Sequence, residues 1–145
     1  MARAIHDNTN MQASVELATE MLFLDEQHPD RTLPAVLSYD ASAPFEVSVT
    51  FDPDAMPVTW CFARDLLRQG VFAPAGEGDL RIWPCLDSDG KDTVVFELRS
   101  GCDPVLIGAP IPLIIEFLER SLAVVPAGEE SSYLDLDSAL NALLA

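Results

Sequence analysis

An α+β domain is what the sequence predicts, and three observations carry that reading. Runs in which apolar residues alternate, as in half-buried strands, come ahead of each stretch with helical spacing, so the order is strands then helix, twice over. Residues 57–70 change period partway: Val58, Trp60 and Phe62 alternate after a proline suited to a strand's first residue, and Ala63, Leu66 and Leu67 then follow helical spacing. Residues 110–121 are apolar on most sides, which marks a buried helix. Two halves of similar size are expected, each antiparallel sheet plus helix, as a pseudo-repeat without residue-level repetition.

Taken in order, residues 1–11 are polar and read as a disordered arm, and residues 12–145 as a single domain. The arm lacks the apolar core of a signal peptide, and no apolar run nears the roughly 20 residues of a membrane span. Residues 12–24 alternate as a long strand with one wetter face. Residues 25–31 are charged, hold a proline and read as a loop. Strands over 35–39 and 45–51 form a hairpin through Asp40-Ala-Ser-Ala-Pro44, whose Asp, Ser and Pro are turn chemistry. Phe45, Val47, Val49 and Phe51 share one face, and Glu46, Ser48 and Thr50 the other. A strand entering a short helix buries Trp60 at the junction, and Gly70 stands where a left-handed C-cap belongs.

In the second half, Gly76-Glu-Gly78 is a turn before a strand over 80–85. Residues 87–92 are a hairpin turn, followed by strands over 93–99 and 104–107. Pro110 and Pro112 suit the first turn of the next helix, where a missing N–H costs little. A loop over 124–130 leads to a last helix with Leu136, Leu140, Leu143 and Leu144 on one face, behind Asp135 and Asp137 at its acidic start.

Composition narrows the function classes. The chain has 24 acidic and 8 basic residues, a net charge of -16, with 49% hydrophobic residues. The acids are spread evenly and Lys91 is the single lysine, so the basic footprint of nucleic-acid binding is missing and anionic membranes repel the chain. Mean hydropathy is nevertheless +0.19. Apolar side chains exceed what a small monomer hides, which points to a homo-oligomer. Cys61, Cys85 and Cys102, widely spaced and without a paired motif, read as small buried hydrophobes in a cytoplasmic protein.

No catalytic constellation competes with a binding role. Residues 87–92 place glycine at the wrong position for a calcium loop, and Gly76-Glu-Gly78 is too short, and too acidic, for phosphate. His6 and His28 lie in polar segments as solvated residues. Glu116 and Glu119 share a helix face beside Arg120, which reads as a solvated edge more than as an acid–base pair. Trp60 reads as core; Trp83, at a strand end before Pro84, is the more open of the two tryptophans. No cofactor or metal is expected. The classes left are an adaptor, a nucleic-acid-binding module and a small enzyme.

Six segments decide among them: Leu37-Ser-Tyr-Asp40, Pro44-Phe-Glu-Val47, Trp60 with Phe62-Ala-Arg-Asp-Leu-Leu67, Pro74 with Gly76-Glu-Gly-Asp79, Arg81-Ile-Trp-Pro84, and Val125-Pro-Ala-Gly128-Glu. In this order and spacing the chain resembles the SsgA-like family of sporulation and cell-division proteins of filamentous actinomycetes, nearest its SsgB type. The resemblance implies a fold akin to the whirly-type single-strand nucleic-acid-binding proteins and association as trimers. It implies a non-catalytic cytoplasmic adaptor at the division septum, with FtsZ and an SsgA-type protein as partners and no membrane insertion. Nucleic-acid binding does not come with the fold, since fold does not fix function and the charge opposes it.

Loops over 72–79 and 125–130, which mix apolar residues with carboxylates, are the expected partner surface. Phe72, Glu77, Asp79, Val125, Glu129 and Glu130 are its candidate residues, with Trp83 beside them. Trp60, Phe62, Leu66, Leu67, Phe117 and Leu118 are expected in the core.

Overall fold

The computed structural model describes residues 14–24, 31–86, 90–101, 103–134 and 143–144. Among these residues seven strands make one antiparallel sheet: β1 Ser14–Phe23, β2 Thr32–Asp40, β3 Glu46–Phe51, β4 Val58–Ala63, β5 Leu80–Leu86, β6 Asp92–Leu98 and β7 Val105–Pro110. A short helix, α1 Arg64–Gly70, follows β4; a longer one, α2 Ile111–Val124, follows β7; a 3-10 turn spans Glu130–Tyr133. The spatial order is β4-β3-β2-β1-β7-β6-β5.

The two expected sheets are thus one. Each half is a meander of neighbouring strands, and the halves join where β1 meets β7 over the pairs Leu22↔Gly108 and Phe23↔Ile107. Nothing local in the sequence announces a junction of two residue pairs. The joined sheet curls: Phe62 of β4 and Phe96 of β6 meet edge to face at 6.3 Å, although a flat sheet would hold strands five places apart about 24 Å from each other.

Alternation decides which side each strand buries. Val15 and Met21, Leu37 and Tyr39, Val47 and Val49, Phe62, Ile82, Val94 and Phe96, and Ile107 form a core that α2 covers with Ile114, Phe117 and Leu118. Leu67 and Val71 add the α1 contribution, while Trp60 and Leu66 are half-buried against the cluster. Trp60 falls short of full burial because β4 is the sheet's edge and, among the described residues, no further strand flanks it. Phe45 precedes β3 and is exposed. Cys61 and Cys85 are exposed as well, against expectation, because they lie on the outward side of their strands.

Turn chemistry follows the sequence closely. The Asp40 carboxylate accepts hydrogen bonds from the Ser42 backbone N–H and hydroxyl, both at 2.8 Å, which closes the β2–β3 turn. Gly70 differs: it is the last residue of α1, and the cap is Val71 at φ -74. Its lack of a side chain serves packing, since a Cβ there would stand 2.4 Å from Ile82 Cγ2 on β5. Pro110 is the N-cap of α2, with a proline in the first turn. The expected last helix lies mostly outside the described residues, including Leu136 and Leu140; Leu143 and Leu144 are helical and exposed.

Candidate partner interface

Two arrangements stand out: a buried polar knot and the apolar groove beside it. The knot is centred on Arg64, the first residue of α1, 1% exposed. Helical spacing places Arg64 on the inward face with Leu67 and Val71, so its charge enters the core with them. One guanidinium nitrogen, Nη1, donates to the Ser121 carbonyl at 3.1 Å; the other, Nη2, donates to Glu130 Oε2 at 3.1 Å. The guanidinium carbon stands 4.7 Å from the centre of the Tyr39 ring. The Tyr39 hydroxyl in turn donates to the Pro44 carbonyl at 2.8 Å. Arg64 Nε has no partner among the described residues.

Glu130 is held from both sides. Its second oxygen accepts the Gly128 N–H at 2.7 Å, and Gly128 has φ 89, which favours glycine. The Glu130 carboxyl lies below its ordinary value, chiefly because its own backbone N–H bonds the charged form and then because Arg64 does. Burial raises the Tyr39 hydroxyl above its ordinary value, and the Arg64 charge offsets part of that. Four of the six segments quoted above, those with Tyr39, Pro44, Arg64 and Gly128, therefore converge on one knot. A phenol kept neutral and a guanidinium locked to a carboxylate make a structural clasp that holds the end of α2 to the start of α1.

Sequence reasoning passed over Arg64 as one scattered arginine. The signal available was its i, i+3 and i+7 relation to Leu67 and Val71 on an otherwise apolar face. Two partner-surface residues change sides. Val125 is fully buried and belongs to the core, because the chain turns inward after α2 with its N–H bonded to the Ser121 carbonyl. Glu130 points at Arg64 instead of at solvent.

The remaining candidates lie outside. Phe72 is 80% exposed, and Glu77, Asp79 and Glu129 are exposed too. Trp83 is half-buried on β5 beneath the Arg81 guanidinium, 5.7 Å from its ring. Phe72 rims a shallow groove of about 230 Å³ between α1 and α2, floored by Val71, Ile115, Leu118 and Leu122 and edged by Arg68 and Glu119. Among the described residues, no group of three His, Cys, Asp or Glu side chains is placed to hold a metal, and no helix is long and apolar enough to cross a membrane.

Comparison with known proteins agrees with the motif segments. A family model described as Streptomyces sporulation and cell division protein, SsgA, matches residues 33–130. The chain belongs to the SsgA family. Among SsgA-family relatives, the sporulation-specific cell division protein SsgB of Streptomyces coelicolor is 39% identical over 137 residues, 94% of this chain and 98% of that protein. SsgB of Kineococcus radiotolerans is 40% identical over 118 residues, 81% of this chain and 72% of that protein. The crystal structure of an SsgA-like sporulation-specific cell division protein from Thermobifida fusca superposes with a TM-score of 0.79 at 33% identity, covering 88% of this chain and 93% of that one. A structure from work on SsgB mutations and longitudinal cell division in sporulating S. coelicolor gives 0.77 at 34% identity, covering 83% and 95%. Membership of the SsgA family makes a sporulation cell-division role the functional frame for the groove and the clasp.

Proposed function

We propose that this chain is a non-catalytic adaptor of sporulation-specific septation, which localises or stabilises FtsZ at septal sites together with an SsgA-type protein. The observation that carries the reading is Phe72, a large apolar side chain left in solvent beside an apolar groove edged by Glu119 and Arg68, with the exposed acids Glu77 and Asp79 on the loop that follows it in sequence. An aromatic anchor beside a concave apolar patch is the usual core of a protein–protein contact, and the chain's net charge of -16 adds steering. The partner's name comes from the family.

The adaptor works in the cytoplasm at the septum, as a closed homo-oligomer, most simply a trimer. The apolar surplus of the chain supports association. The whirly-type likeness belongs to the same proposal; its support is the chain order, four strands and a helix, then three strands and a helix.

Sedimentation of FtsZ polymers with and without the protein is the direct test. Co-sedimentation or an increase in polymer, with or without SsgA, is the expected result. Absence of both, with SsgA present and absent, would rule the adaptor out.

A further inference from the structure

The two edges of the sheet are treated differently. β5 is guarded: Ala75 and Ile82 exchange both backbone hydrogen bonds, at 2.8 and 2.9 Å, across its outer side, and Pro84 two residues on offers no N–H. Among the described residues β4 has no such cover. The Arg64 N–H donates to the Phe45 carbonyl at 2.8 Å, and the β3–β4 register pairs Phe62 with Val47 and Trp60 with Val49. By antiparallel alternation, Phe62 and Trp60 spend their backbone groups on β3, Thr59 and Cys61 turn theirs outward, and Ala63 turns out only its N–H, because as N-cap its carbonyl opens α1. Among the described residues, no backbone partner meets the outward groups of Thr59 or Cys61.

Exposed edges are normally blunted by charge, proline or a bulge. Val58–Ala63 contains no charged residue and no proline, and its pairing with β3 is unbroken from Glu46↔Ala63 to Phe51↔Val58. On the side facing the helices, Val58 is 52% exposed and Trp60 half-buried, with Met56 exposed nearby. A neighbouring strand would cover these side chains. Acids stand at both ends of the strip: exposed Asp54 before it and exposed Glu46 at its far end, beyond which Asp65 is tied to Arg68 and Gln69.

We propose that the free edge of β4 receives an extended segment of another protein, added to the sheet as an eighth strand, with apolar residues at alternate positions and basic residues at its ends. Backbone hydrogen bonds to Thr59, Cys61 and Ala63 would supply affinity, and the Val58–Trp60 side would select the alternate apolar side chains. A second copy of this chain fits poorly, because it brings the same acids to both ends of the strip. The inference does not depend on FtsZ being a partner, and it uses a different surface from the Phe72 groove.

The probe is a synthetic decapeptide of alternating valine and threonine with two lysines at each end, titrated into the whole chain by fluorescence anisotropy. Saturable binding is expected, with new hydrogen-exchange protection at the Thr59, Cys61 and Ala63 amides. Cys61→Pro removes an outward N–H at an edge position that tolerates proline, and should weaken binding about tenfold. Methylating alternate peptide amides should weaken binding similarly against the unaltered protein, so the test survives a folding defect in the variant. Replacing the terminal lysines with glutamates should also weaken it. Absence of binding, or binding that none of these three changes diminishes, overturns the proposal. So does concentration-dependent protection of the Thr59 and Cys61 amides in the protein alone, which would assign the edge to a second copy.

Discussion

Arg64 and Glu130 meet at 3.1 Å with the guanidinium 1% exposed and the carboxylate 15% exposed, 66 residues apart in the chain. Truncating a fully buried side chain of this size costs about 2–5 kcal/mol, and Arg64 is such a side chain. Arg64→Ala also forfeits the Ser121 carbonyl bond and the Tyr39 ring contact. Urea denaturation should place its loss in that range. Arg64→Lys should recover only part of it, because an ammonium lacks the planar fork that reaches Ser121 and Glu130 together.

The same pair predicts a pH dependence. Glu130 titrates below its ordinary value of 4.5 in the folded chain, so the unfolded state binds its proton first as pH falls. The sign follows: its contribution is complete above 4.5 and disappears as pH falls through the lower folded value. The stability difference between the parent and Glu130→Gln should be constant through neutral pH and shrink in acid below 4.5. A difference that grew in acid would contradict the clasp.

Gly70 offers a counter-intuitive substitution. On propensity alone, Gly70→Ala should favour the helix by up to about 1 kcal/mol. Packing reverses the sign, since the new methyl would press on Ile82 at 2.4 Å and overpacking costs about 1–3 kcal/mol. Thermal melts should show a lower Tm for Gly70→Ala.

Phe72→Ser separates binding from stability. A side chain 80% exposed contributes little to folding, so the melting curve should move by no more than about 0.5 kcal/mol. Co-sedimentation with FtsZ should fall sharply. Equal binding by the variant would place the contact elsewhere.

Charge predicts weak nucleic-acid binding. Eight bases among 24 acids neutralise few phosphates, so single-stranded DNA and RNA should bind no better than roughly 10⁻⁴ M at physiological salt. Micromolar affinity with a steep salt slope would revive the nucleic-acid class.

The strands were legible because half-buried antiparallel strands alternate, and Val47, Val49 and Phe51 show this without reference to any other segment. What joins them was not. The seam at Leu22↔Gly108 depends on two stretches far apart in sequence, and alternation says which face is apolar, never which strand is the neighbour. Loop composition likewise identified residues 125–130 as a mixture of apolar and acidic side chains, yet could not say that Val125 and Glu130 both turn inward. Arg64 was hidden because one charge in an apolar face reads as an interruption until its partners are seen. Phe72, Glu77, Asp79 and Glu129 were found on the outside because turn residues place them there.

α2 packs across β1, β2, β6 and β7, and it is made after every strand it covers. During synthesis the first meander leaves the ribosome with Met21, Leu37 and Val49 in place and their cover still untranslated. A chain halted after Pro110 would possess the whole sheet and none of Ile114, Phe117 and Leu118. Transiently bare apolar sheet is what draws nascent chains into aggregates. The last third of the chain therefore governs the yield of the first two, and slow or interrupted translation just before α2 should deplete soluble protein more than an equal delay anywhere upstream.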